Sequence, residues 1–250
     1  MLKLFKIETK KYRGLPVFRL LFVALAMSIF FSCIQIFNAK SAADLTNIGK
    51  FYQIFDAAAM FKIIVQPIIL ASLVSLSVQV ENRHQMWKVL TSSGVDYKSI
   101  YAVKFFYIYS AYLVMQVLEW LLTLALVKWR GYTVSLPIGR LVLYGLSILG
   151  ISAVIMLIHY LLSLRWANQL ISLSVAVLAS LVSIILIFIS KAVMYVVPYS
   201  WYALLMATEP ERVGDTFVYH VTAFNYFPLI ASLIVALVLY QLGKRVKIGD

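Results

Sequence analysis

The sequence predicts an all-α polytopic membrane protein with six transmembrane helices, an N-terminal interfacial helix and a short surface helix between spans two and three. Three observations carry that prediction. The 250-residue chain is 63% hydrophobic and only 13% charged, with a mean hydropathy of +0.91, whereas a soluble domain carries about a quarter charged residues. Apolar runs of roughly 20 residues recur, the length that crosses a hydrocarbon core. The cations gather at the ends of those runs, where topology signals belong. The net charge of +12 invites a nucleic-acid reading, but no single patch collects it. The single cysteine, Cys33, lies inside an apolar run. It makes neither an intramolecular disulfide nor a Cys-rich metal site, and reads as a small hydrophobe.

Met1–Gly14 is basic and amphipathic. Lys3, Lys6, Lys10 and Arg13 fall on one stripe, with Leu2, Phe5 and Tyr12 beside it. Two readings stand: a helix lying in the interface with its cations toward headgroups, or a plain positive-inside flank. Leu15–Phe37 is the first span; it exceeds the roughly 7–15 residues of a signal-peptide core and reads as uncleaved. After a polar loop, Asn38–Asp56, come span two (Ala57–Val80), span three (Phe105–Val127), span four (Arg140–Ser163), span five (Gln169–Ser190) and span six (Ala223–Leu242). Six spans put both termini on one side. Fourteen of the 22 Lys and Arg residues fall on that side, which makes it cytoplasmic. Trp129 and Trp201 then belong to the outer interface and Trp166 to the inner one.

Between spans two and three lies a polar island, Glu81–Lys104, with helix signals of its own. Asn82–Thr91 reads as a short amphipathic helix, with Met86, Val89 and Leu90 on one face and Trp87 beside them. Gly94 suits its C-terminal end. Asp96 reads as the N-cap of the next helix, with Val95 and Ile100 as a hydrophobic staple. A stiff surface helix between two spans is something a soluble partner can push.

Charges inside spans cost about 2.5–3.5 kcal/mol at a helix centre and belong in the protein interior or in water. Glu119 lies about 21 Å into span three at 1.5 Å per residue. Lys62 enters span two from the other side to a comparable depth, which suggests an ion pair. The alternative is that Lys62 snorkels and Glu119 is protonated or hydrogen-bonded. His159 reads as an interface histidine near the inner end of span four. The last outer loop, Lys191–Thr222, holds a stretch too apolar to float in water, Ala192–Met206. Pro198 argues against a clean span, so it reads as tucked into the outer leaflet or folded back into the protein. Glu209, Glu211 and Asp215 follow. They read either as a solvated loop or as a reception site for cationic amphipathic molecules, with Trp201 and Tyr202 as apolar contacts.

Catalytic signatures are missing from the sequence. Gly49-Lys50 and Gly243-Lys244 lead to Phe51 and Arg245, so neither is a phosphate-binding loop. His84, His159 and His220 are scattered, at no metal-ligand spacing. No nucleophile elbow or paired acidic protease motif occurs. The chain reads as a non-enzyme without a cofactor or metal of its own.

Ile7-Glu8-Thr9-Lys10-Lys11, Glu81 with Trp87-Lys88-Val89-Leu90 and Ser93-Gly94-Val95, Ile100-Tyr101, Lys104, and Val197-Pro198-Tyr199-Ser200-Trp201 together resemble an ABC type-2 permease. The closest likeness is to the permease subunits of lantibiotic (bacteriocin) self-immunity transporters of Gram-positive bacteria. The resemblance implies one transmembrane domain over residues 1–250, with a coupling region at 81–104 and a re-entrant segment within 191–222. It implies a plasma-membrane homodimer or heterodimer of permeases over two ATPase subunits, which bind ATP and Mg in trans. Glu81, Arg83, Met86, Trp87, Lys88 and Leu90 become the expected ATPase contacts, and a cationic amphipathic peptide the expected cargo. Rival readings are an exporter of other peptides, lipids or hydrophobic drugs, a non-transporting scaffold, and a channel. Spans nearly free of polar stripes count against the channel.

Overall fold

Within lipid a single segment can satisfy its backbone only as a helix, and helices dominate the chain. The computed structural model describes residues 2–12, 14–38, 48–82, 92, 94, 96–133, 135–213 and 216–246. The helices are α1 (Leu2–Tyr12), α2 (Val17–Asn38), α3 (Ile48–Ile64), α4 (Gln66–Asn82), α5 (Tyr97–Trp129), α6 (Ile138–Arg165), α7 (Gln169–Ile189), α8 (Lys191–Met194) and α9 (Phe227–Gly243). Two 3-10 turns, Pro198–Ser200 and Ala203–Leu205, precede an antiparallel hairpin of β1 (Thr208–Val213) and β2 (Thr216–Val221).

Helices α2, α5, α6 and α7 are each long and apolar enough to cross a membrane. Helices α3 and α4 pass the same test together, as one span bent by 49°. Helix α9 is apolar but shorter, at 17 residues. The bend falls at Val65. Pro67 has no N–H to offer the carbonyl of Ile63, so the helical ladder is interrupted there.

The second span therefore differs from its sequence-based bounds. It begins at Ile48, inside the stretch expected to be a loop, because Phe51, Ile54, Phe55 and Ala58 continue a buried helical face. Gln53 and Asp56 interrupt the apolar run and hide that continuity. Gly94 adopts φ +81°, the left-handed conformation that favours glycine. Asp96 occupies the N-cap of α5 with extended backbone, but its carboxylate makes no capping hydrogen bond.

Among the four single helices long enough to span a membrane, α6 is the most buried and α7 the least. Helix α6 packs chiefly on α9 and α4. At the α6–α9 crossing Gly150 meets Ser232 so closely that a Cβ on Gly150 would lie 2.2 Å from the serine hydroxyl. Small residues that let helix backbones approach are the usual basis of packing in lipid, where the hydrophobic effect does not drive helices together. Toward one end, Tyr101 of α5 stacks on Tyr160 of α6 at 4.8 Å and contacts Tyr240 of α9 at 5.5 Å. The Tyr97 hydroxyl donates to the Gly243 carbonyl there (3.2 Å). This end also carries α1 and the last turn of α4, and we call it the clamp end. The opposite, hairpin end carries the start of α3, the start of α6, α8 and the hairpin. There the Asp56 carboxylate accepts from the backbone N–H groups of Ala207 (2.7 Å) and Thr208 (2.9 Å) and from the Thr208 hydroxyl (2.6 Å).

Gly150→Leu should separate α9 from α6 and lower the detergent melting temperature by several degrees. Gly139→Ala, at a position open to space, should leave it within a degree. A Gly150→Leu protein that melts like wild type would mean that this crossing contributes nothing to stability.

Candidate functional site: two buried ion clusters and a re-entrant segment

A lysine buried inside a span needs acceptors for its three donors. Lys62 of α3, 1% exposed, finds them. It donates to both carboxylate oxygens of Glu119 on α5 (2.8 and 2.7 Å) and to Gln116 Oε1 (3.2 Å). Glu119 is itself 3% exposed. Its oxygens also accept from Ser28 of α2 (2.8 Å) and from Gln116 Nε2 (2.8 Å). The pair suggested by matched depth is thus in direct contact in the structure.

The network continues, and donor counting fixes its direction. The Tyr112 hydroxyl donates to Gln116 Oε1 (2.9 Å), so Ser152 of α6 must donate to Tyr112 (2.7 Å). Tyr202 must then donate to Ser152 (2.8 Å). One continuous polar chain therefore runs from α2 through α3, α5 and α6 to the segment before the hairpin.

That segment folds back into the protein. Tyr199, Ser200, Trp201, Tyr202, Ala203, Leu204 and Leu205 are all buried. Ser200 Oγ donates to the carbonyls of Met194 (2.9 Å) and Val197 (2.7 Å), and Trp201 Nε1 to that of Tyr195 (3.1 Å). The Tyr199 hydroxyl reaches His159 Nε2 (3.0 Å), whose Nδ1 meets Ser172 Oγ (3.0 Å). His159 is fully buried with a partner on both ring nitrogens. It is an internal joint of α6, α7 and the re-entrant segment, where the sequence suggests an interface residue. Trp201 and Tyr202 are likewise 3% and 0% exposed, so in this conformation they serve the core and present no substrate surface.

A second cluster lies at the clamp end. Lys104 of α5 donates to Glu8 Oε2 of α1 (3.0 Å), to Glu81 Oε1 of α4 (3.1 Å) and to the Ser77 carbonyl (3.3 Å). Lys11 donates to Glu81 Oε1 (2.5 Å) and Glu8 Oε1 (3.1 Å). Tyr12 donates to Ser77 Oγ beside them. Burial disfavours the Lys11 charge, but Glu81 and Glu8 outweigh it and hold the ammonium above its ordinary value of 10.5. Helix α1 therefore turns Glu8 and Tyr12 toward α4 and α5, while Lys6 and Lys10 stay exposed. Glu81, expected at an ATPase-docking surface, has no exposed area and is the hub of this cluster. The reason is electrostatic: two ammonium groups, one of them fully buried, need its carboxylate.

At the hairpin end Glu209 pairs with Lys191 (2.6 Å) and Glu211 with His220 (3.0 Å), all four side chains exposed.

The sequence model of the ABC-2 family transporter protein matches residues 4–183, well over half of the chain. The chain belongs to the ABC-2 transporter family. Neither a curated protein nor a solved structure matches it. The ABC-2 match supports a multi-pass permease that works with an ABC ATPase. It spans α1 to α7 and so contains both ion clusters of the transporter. The expected coupling helix of this ABC-2 protein lies mostly at residues 83–91, outside the described residues, and with it Arg83, Met86, Trp87, Lys88 and Leu90; so does Asp215.

Sequence reasoning singled out Lys62 and Glu119 but missed Gln116, Tyr112, Ser152, Ser28 and Asp56, which are ordinary polar residues until the fold joins them. Glu8 carried a usable signal, since it is the one acid in an otherwise basic α1.

Removing one partner of a buried pair strands the other, at a cost of about 3–5 kcal/mol. Lys62→Met and Glu119→Leu should each sharply reduce the fraction that elutes monodisperse after heating, and the double variant should recover most of it. A double variant as unstable as either single would refute independent pairing. Glu8→Gln should loosen α1 and speed tryptic cleavage after Lys10 severalfold in membranes. An unchanged rate would mean that Glu8 does not hold α1.

Proposed function

We propose that this chain is the transmembrane permease of an ATP-driven exporter, driven by two ATPase subunits supplied in trans and paired with a second permease chain. The single observation that carries the reading is the ABC-2 family match. The clamp supports it, because Glu81 ties α1, α4 and α5 together immediately before the Asn82–Thr91 segment. A push on that segment would reach three helices at once. In this reading α9 is the sixth span, within the roughly 17–25 residues that cross a bilayer. The clamp end faces the cytoplasm, following the cation bias, and the resemblance to lantibiotic-immunity permeases makes the cell Gram-positive. The chain is one transmembrane domain, catalyses nothing itself, and leaves ATP and Mg to its partners.

The cargo in this reading is a cationic amphipathic peptide such as a lantibiotic, cleared from the membrane for self-protection. Glu209 and Glu211 would receive it at the hairpin end. Their pairs with Lys191 and His220 are solvent-exposed, and such pairs contribute about 0–1 kcal/mol, so a cationic ligand can displace them. Export of a compact hydrophobic molecule is the second reading. A 230 Å³ apolar cavity between α5 and α6, lined by Trp120, Leu124, Leu141 and Tyr144 among others, favours it.

Affinity purification of the tagged chain from its native membrane in mild detergent should bring down a P-loop ATPase. The Trp87→Ala, Leu90→Ala double variant should lose it. An intact complex without an ATPase would sink the exporter reading. For the cargo, cells carrying Glu209→Gln with Glu211→Gln should become severalfold more sensitive to a cationic lantibiotic. Unchanged sensitivity, in cells that deletion of the wild-type gene does sensitise, would remove the acids from reception.

A further inference from the structure

Between the hairpin-side end of α7, α8, the re-entrant segment and the hairpin lies a 640 Å³ cavity. That is within the roughly 300–1,000 Å³ of small-molecule sites. Its chemistry is divided. Phe188, Met194, Leu204 and Met206 give it an apolar lining, and Lys191 and Glu209 stand together on its wall. Neither the ion clusters nor the Tyr112–Ser152–Tyr202 chain uses these residues.

The two charges decide between occupants. Lys191 and Glu209 are 65% and 58% exposed, so both can change partners. A polycationic ligand would gain from Glu209 but be repelled by Lys191. An anionic amphiphile meets the reverse. A zwitterion satisfies both at once, its phosphate on the ammonium and its amine on the carboxylate, and restores the neutrality that the ion pair now supplies. Location argues the same way. Phe188 and Ile189, 79% and 71% exposed, turn the last turn of α7 outward toward lipid. Lys191 follows two residues after Ile189 and holds Glu209 of the hairpin beside it, at the level where a headgroup sits above its chains.

We propose that this cavity is a binding site for a zwitterionic phospholipid of the leaflet on the hairpin side, held with its headgroup between Lys191 and Glu209 and an acyl chain along Phe188, Met194 and Leu204. The site needs no ATPase and no transport cycle, so it stands apart from the exporter reading itself, but it gives Glu209 to lipid and so competes with the reception of a cationic peptide proposed above at that residue.

The test places the full chain in nanodiscs containing phosphatidylethanolamine with a diazirine on its acyl chain, irradiates, and maps adducts by peptide mass spectrometry. Two variants accompany wild type. Lys191→Ala removes the phosphate partner. Ala223→Trp fills the cavity from an alanine that is exposed on its wall. Labelling of the exposed face of α2, around Phe22 and Phe30, reports ordinary surrounding lipid and checks that each variant is intact. Wild type should carry adducts on the cavity residues, reduced at least tenfold in both variants while the α2 label is unchanged. A phosphatidylglycerol probe should label the cavity several times less. Cavity labelling that both variants leave unaltered, or that matches the anionic probe, would overturn the proposal. So would a photoreactive cationic amphipathic peptide that labels the cavity in competition with lipid and labels it more strongly in Lys191→Ala, because the site would then belong to peptide.

Discussion

Everything at the centre of this bundle depends on one requirement: the ammonium of Lys62 must stay against the carboxylate of Glu119. Neither charge can be left alone in hydrocarbon, and the structure gives each a full set of partners. Pairing alone would join only α3 and α5. The neutral groups extend the constraint. Ser28 adds α2, and Gln116, which orients its amide oxygen to the lysine and its nitrogen to the glutamate, passes it to Tyr112, Ser152 and Tyr202. Moving any of these helices by a few ångströms leaves a buried donor or acceptor unmatched, and each costs about 1–3 kcal/mol. Such a network has well-separated alternatives rather than a continuum, a property expected of a transporter that switches between conformations.

The two ion clusters share two elements and reverse their signs. The bent second span contributes a cation, Lys62, at one level and an anion, Glu81, at the other. Helix α5 answers with Glu119 and Lys104. Exchanging the two levels would bring Lys62 to Lys104 and Glu81 to Glu119, so alternation excludes the swapped pairing by like-charge repulsion. Along α5 the two levels are about 22 Å apart at 1.5 Å per residue. This is a form of specificity that apolar helix faces, interchangeable in lipid, do not provide.

Hydropathy sufficed to see α2, α5, α6 and α7, because each is apolar around most of its circumference. Matched depth suggested the Lys62–Glu119 contact, while leaving open a snorkelling lysine that the structure does not show. Other features stayed hidden for separable reasons. The start of α3 was obscured because Asp56 looks like loop chemistry until the Ala207 and Thr208 amides satisfy it. The buried face of α1 was obscured because four cations on a stripe suggest headgroups, while one glutamate toward Lys104 decides the orientation. His159 took its meaning from Tyr199, forty residues away and brought near only by the folding back of the loop. The hairpin was the most legible of the omissions. Thr216-Phe217-Val218-Tyr219-His220-Val221 is rich in β-branched and aromatic residues, and Gly214-Asp215 before it is a turn dipeptide. Its presence modifies an otherwise all-α architecture at one edge.

The carboxylate of Asp56 has a mechanical meaning beyond satisfying three donors. It is the rigid coupling between a buried helix and an exposed β-ribbon: Asp56 rides on α3, and Ala207 and Thr208 begin the hairpin. Lys62, under two turns further along the same helix, is the central cation. A tilt of α3 would therefore be felt by the ribbon through these three hydrogen bonds. The exposed hairpin is thereby tied, through one carboxylate, to the helix that carries a cation no solvent reaches.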